Sequence, residues 1–175
     1  MQSIIQSEVE NTIDMSKLRS LIPSYCAVRK YDSLRGKTTL KEVMGKYTVL
    51  IILWNLHNKA HRVLNQAGHF FVLSVRGPEK VPVVFSSTGM SYRKELFITQ
   101  SDPNVFERIL PKDTLYNKKR LQINNDSNTC WRWCLVFAHM CPMGLKKFQQ
   151  LFSRPRVHLT NPDALVTALT LLSLY

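Results

Sequence analysis

The sequence predicts an α+β fold, and three observations carry that prediction. Apolar, β-branched runs ("VLIILW", "HFFVLSV", "VPVVFS") gather in the middle of the chain. Helix start and stop signals gather at its two ends. The 175 residues are 45% apolar, enough for one sizeable core, and no repeat, low-complexity tract or Gly/Ser linker divides them. A single domain over 1–175 is therefore expected, with a helical N-terminal region at 1–46, a sheet region at 47–125 and C-terminal helices at 126–175.

Taken in order, "TTLKEVMG" offers Thr39 as a helix cap, Glu42 three residues on as its reciprocal partner, and Gly45 as a stop. "KYTVLIILW" has no polar face, which suits a strand buried on both sides. After the polar loop "NLHNKAHRVLNQAG", "HFFVLSV" and "VPVVFS" flank the turn "RGPEK" and read as an antiparallel hairpin. "TLYNKKRLQI" has room for a short fourth strand. Helices then follow at 129–140 and 144–152. A last helix opens at "NPDALV", with Asn161 as cap, Pro162 in the first turn and Asp163 complementing the dipole. The helix after Cys130 is apolar on every side, so it belongs at the centre of the molecule.

Charge is unevenly spread. Glu8, Glu10 and Asp14 give the first fifteen residues −3 with no basic residue; the total of +12 thus leaves +15 for the rest. That surplus, with clusters such as "NKKR" and "SRPRVH", points to weak, backbone-directed nucleic-acid binding. No zinc-finger, RRM or helix-turn-helix pattern accompanies it. Three of the four cysteines (Cys26, Cys130, Cys134, Cys141) fall within twelve residues of each other, a poor disulfide framework, so reduced thiols in an intracellular compartment are expected. The opening residues lack the charge and apolar run of a signal peptide, and the longest apolar run is too short to cross a bilayer.

Cys130 stands where a polar, turn-prone stretch meets the central helix. A helix N-terminus favours negative charge, and a rigid helix holds a nucleophile steady. Such a thiol needs a base, a group to orient the base, and donors for a tetrahedral oxyanion. His69 opens the second strand just after Gly68. "FSSTG" lies at the end of the paired strand, with Ser86 seventeen residues after His69, and brings Ser86 or Ser87 near it. Gln122, eight residues before the cysteine, is a neutral donor.

With these residues in place, "GHFFVLSV", "VVFSSTG", "LQ" and "DSNTCWRWCLVF" resemble the adenovirus-protease and SUMO-protease superfamily of cysteine peptidases. The form is most like the small proteases of virophages, polinton-like elements and adenovirus-like viruses. The resemblance spans 47–140. It implies a papain-like variant in which a central helix carrying the cysteine packs on a small, mostly antiparallel sheet. It implies Cys130 as nucleophile, His69 as general base and Gln122, with the Cys130 backbone N–H, as oxyanion donors. Two positions depart from the family pattern. Ser86 stands in register with the family's acid; it can orient the imidazole but cannot stabilise imidazolium by charge. Trp131 replaces the usual glycine after the cysteine and stands to crowd the oxyanion pocket or close the substrate channel. Phe70 for the usual tryptophan is a milder change.

The function expected is an intracellular thiol endopeptidase working through a Cys–His dyad. It would cut viral precursor or capsid proteins during particle maturation, in the host cytoplasm or nucleus or within the virion, as a monomer without cofactor or membrane attachment. A catalytically weakened relative kept as a structural or nucleic-acid-associated module is the alternative, and a processing enzyme for ubiquitin-like tags a third class. Cys134, His139 and Cys141 lie on one continuous helix, where a tetrahedral metal site closes poorly, so no metal is expected. His57 and His61 read as solvated, and Asp126 as a turn or cap residue.

Overall fold

A computed structural model describes residues 13–54, 68–123, 128–153 and 161–172. His57, His61, Asp126 and most of "SRPRVH" lie outside the described residues. Among the described residues five strands form one sheet in the order β1 (Cys26–Lys30), β2 (Val49–Trp54), β3 (His69–Ser74), β4 (Val83–Phe85) and β5 (Leu115–Tyr116). The centre is antiparallel, β2 to β3 to β4, as the hairpin signals predict. Each edge adds a parallel pair, β1 on β2 and β5 on β4, so the sheet is mixed.

Both faces of the sheet are covered. Val49, Ile51, Leu53, Phe70 and Val72 point to one side, where they meet α5 (Cys130–Met140), α6 (Leu145–Ser153) and Val166 of α7 (Pro162–Leu172). Leu18 of α1 (Met15–Leu21) joins them. Phe85, Phe137 and Phe148 stack or meet edge-on here at 4.3 to 5.3 Å between ring centres. Leu50, Ile52, Trp54, Phe71 and Leu73 point to the other side, against α2 (Leu40–Met44), α3 (Tyr92–Ile98) and α4 (Asn104–Ile109). The period-two alternation of side chains thus feeds two cores at once, which is why β2 carries no polar residue.

Thr39 and Glu42 close the capping box on α2 as expected. The region 1–46, expected to be helical, also supplies an edge strand: Cys26, Ala27 and Val28 are buried beside β2, while Arg29 and Lys30 face solvent. The 47–125 region in turn contains α3 and α4 besides its strands. α5 has nine buried residues, the central position its composition predicts.

Candidate active site

The ring of His69 is delivered by a tight approach of β3 to β2. Gly68 has φ of +119°, and a Cβ there would stand 2.1 Å from the Trp54 carbonyl oxygen. Only glycine fits that backbone, and it sets His69 opposite Trp54 in register, with the rings 6.1 Å apart. The side chain is 18% exposed.

At the end of β4 the chain turns, with Gly89 N–H donating to Ser86 O over 3.1 Å. Asn117 holds this turn from β5's side, accepting from Ser86 N–H on its Oδ1 and donating from Nδ2 to Ser86 O. Ser86 Oγ comes to 3.0 Å from His69 Nε2 and donates to Glu95 Oε1. Thr88 Oγ1 donates to the same carboxylate oxygen, which is 3.5 Å from His69 Nε2. Glu95, on α3, is 4% exposed. Ser86 has one hydroxyl proton and spends it on Glu95, so it must accept from Nε2–H. Neutral His69 therefore carries its proton on Nε2, and Nδ1 is its acceptor nitrogen.

Cys130, the first residue of α5, interacts electrostatically with the His69 ring. Burial alone would lower the imidazole's pKa, but the Glu95 carboxylate and the Cys130 side chain reverse this and raise it to about 9. The other three cysteines are buried and free. Burial pushes Cys26 up to about 12, and raises Cys134 and Cys141 as well. Cys134 is fully enclosed in the core, as its helical position predicts.

Gln122 is 5% exposed and its Oε1 accepts from Ser87 Oγ over 2.7 Å. Its backbone N–H and that of Leu121 both donate to Ser87 O, at 3.0 and 2.9 Å. The amide oxygen is thereby held by Ser87. The next residue, Ile123, donates its N–H to Asp163 Oδ2 over 3.0 Å. Asp163 Oδ1 accepts from Thr129 Oγ1, beside the thiol, and from Trp133 Nε1, both at 2.8 Å. Asn161 caps α7 as expected, its Oδ1 accepting Asp163 N–H at 2.9 Å. The Asp163 carboxylate, however, is wholly buried, and ties α5 and the Gln122 segment to α7.

The structure thus brings His69, Ser86 and Cys130 together and holds Gln122 through Ser87. Trp131 is 4% exposed and belongs to the α5 core, with the Arg132 guanidinium 4.2 Å over its ring. Sequence reasoning missed Glu95 and the reach of Asp163. A cleft of about 640 Å³ behind the Ser86–Gly89 turn, lined by Tyr92, Arg93, Lys112 and Lys118 among others, includes neither thiol nor imidazole. Among the described residues no cluster of His, Cys, Asp and Glu is arranged to hold a metal ion.

No family model and no curated protein matches the chain. Among solved structures it is similar to ChlaDub1 from Chlamydia trachomatis, at 14% identity and a TM-score of 0.41, over 98% of this chain and 75% of that one. It is likewise similar to the Chlamydia trachomatis effector protein Cdu1, solved bound to ubiquitin, at 14% identity and a TM-score of 0.41, over 98% of this chain and 77% of that one.

Proposed function

We propose that the protein is a thiol hydrolase of peptide bonds, with Cys130 as nucleophile and His69 as general base and acid. The observation that carries this reading is the position of the His69 ring. Its Nε2 stands 3.0 Å from Ser86 Oγ and 3.5 Å from a buried carboxylate, and the Cys130 side chain is close enough to raise the pKa of the ring. In the reaction, the Cys130 proton passes to Nδ1 and the sulfur adds to the peptide carbonyl carbon. The resulting oxyanion takes hydrogen bonds from the Cys130 N–H and Gln122 Nε2. Collapse breaks the C–N bond while imidazolium protonates the departing amine. Water, deprotonated by His69, then hydrolyses the thioester and the thiol is restored.

The order His69, Gln122, Cys130 and the "NTCWRWC" stretch support the finer reading. It is a papain-like protease of the adenovirus and SUMO type, maturing viral precursor or capsid proteins inside the host cell or virion. The +15 charge outside the first fifteen residues supports transport on packaged nucleic acid. Trp131 beside the thiol favours a second reading, a non-catalytic module on the same fold. A fluorogenic peptide library tests the choice. Turnover lost in Cys130→Ala and His69→Ala supports the hydrolase; turnover that survives Cys130→Ala contradicts it.

A further inference from the structure

If Cys130 and His69 are the reacting pair, the imidazolium needs a negative charge that Ser86 cannot provide. We propose that Glu95 supplies it from helix α3, across the Ser86 hydroxyl, making Ser86 a bridging positioning residue and Thr88 a second clamp on the same carboxylate. This rests on the thiol-hydrolase reading and deepens it.

The chain reaches this arrangement by a reversal. Gly89, at φ +66°, lets the turn after β4 pass so close to the next segment that a Cβ there would meet Arg120 N at 2.6 Å. Ser91 then caps α3, accepting Lys94 N–H, and the helix runs back over the strand end. Glu95, nine positions after Ser86, ends with its Oε1 receiving both hydroxyls and facing Nε2. Its other oxygen, Oε2, is buried and has no hydrogen-bond partner among the described residues. A carboxylate so enclosed is costly unless a positive charge faces it. The groups around the ring and the carboxylate facing it are Cys130 from α5, Glu95 from α3, Ser86 and Thr88 from the turn, and the Trp54 indole from β2. His69 is the one among them able to carry positive charge.

The thiol proton moves to Nδ1, while Nε2–H stays hydrogen-bonded to Ser86 Oγ. Ser86 O–H stays bonded to Glu95, and no proton passes to the carboxylate. Only charge, not a proton, is felt across the bridge. Moving the family's acid from the strand end to a helix would leave that strand position free for a hydroxyl, and Ser86 fills it.

The test is a carboxylate exchange, read by NMR titration of the His69 ring and by peptide turnover. Glu95→Gln should move the His69 titration down by more than one pH unit and lower kcat by about 10²-fold, with KM little changed. Ser86→Asp alone should also lower kcat, because two carboxylates then crowd one enclosed space. The double variant Ser86→Asp with Glu95→Gln should restore both the titration and turnover to within roughly tenfold of the parent. A His69 titration unmoved by Glu95→Gln, or Ser86→Asp alone raising kcat, would overturn the proposal. Loss of turnover in Cys130→Ala tests the hydrolase reading separately, so a failure of the exchange with that loss intact counts against Glu95 only.

Discussion

His69 Nε2 stands 3.5 Å from Glu95 Oε1, on a helix that begins after the strand-end turn has doubled back. The proximity makes the stability of the protein depend on pH. The folded pKa of His69, raised to about 9, exceeds the ordinary value of 6.5. The stabilisation from the protonated ring is therefore fully present below about pH 6.5 and disappears as pH rises through about 9. Urea unfolding at pH 6 and pH 9.5 should show this loss, and Glu95→Gln should shrink it. An equal pH dependence in both proteins would exclude Glu95 as the source.

Gln122 is fixed by Ser87 with its amide oxygen taken up. Gln122→Ala should lower kcat by roughly 10²- to 10³-fold with a small effect on KM, the usual cost of one oxyanion donor. Ser87→Ala should lower it less, since it removes only the hydroxyl that holds the amide oxygen. Steady-state kinetics on one fluorogenic substrate decides both, and a pure KM effect would remove Gln122 from the oxyanion role.

Asp163 accepts hydrogen bonds from Ile123, Thr129 and Trp133 in a fully buried position. Asp163→Ala strands those donors and should cost roughly 2–4 kcal/mol of stability, with Asp163→Asn costing less. Urea denaturation measures the difference. A loss under about 0.5 kcal/mol would mean the donors find other partners.

Gly68→Ala should be among the most damaging small substitutions, because the new Cβ meets the Trp54 carbonyl at 2.1 Å where the backbone already has positive φ. A cost of about 2 kcal/mol or more is expected, together with a displaced His69 and a fall in turnover larger than the loss of fold explains. Circular dichroism melts and kcat on the same sample separate the two effects.

Lys118, Lys119 and Arg120 are exposed on the segment leading to Gln122. Replacing both lysines by glutamate should weaken binding to duplex DNA and flatten its salt dependence, whatever the DNA sequence. Fluorescence anisotropy across a salt series reads this out, and binding unaffected by salt would argue against a phosphate-directed surface.

What the sequence made legible follows from burial. β2 and β3 announced themselves because both faces are covered, which forces continuous apolar runs. β1 did not, since "CAVRK" is short, ends in two exposed charges and gains its identity only by pairing with β2. The thiol and imidazole were readable because each sits at the first residue of a strongly patterned element. Glu95 was hidden for the opposite reason. It lies inside a seven-residue helix without strong periodicity, and only the turn at Gly89 aims it at the ring. Asp163 looked like an ordinary first-turn acid, because local sequence shows the dipole it complements and not the distant N–H and O–H groups it collects.

The most direct measurement is alkylation by iodoacetamide at pH 7, followed by peptide mapping of all four cysteines in the parent and in His69→Ala. The account predicts that Cys130 is modified far ahead of Cys26, Cys134 and Cys141, and that removing the imidazole largely abolishes this lead. Comparable modification at every thiol, or a Cys130 rate indifferent to His69→Ala, would contradict it.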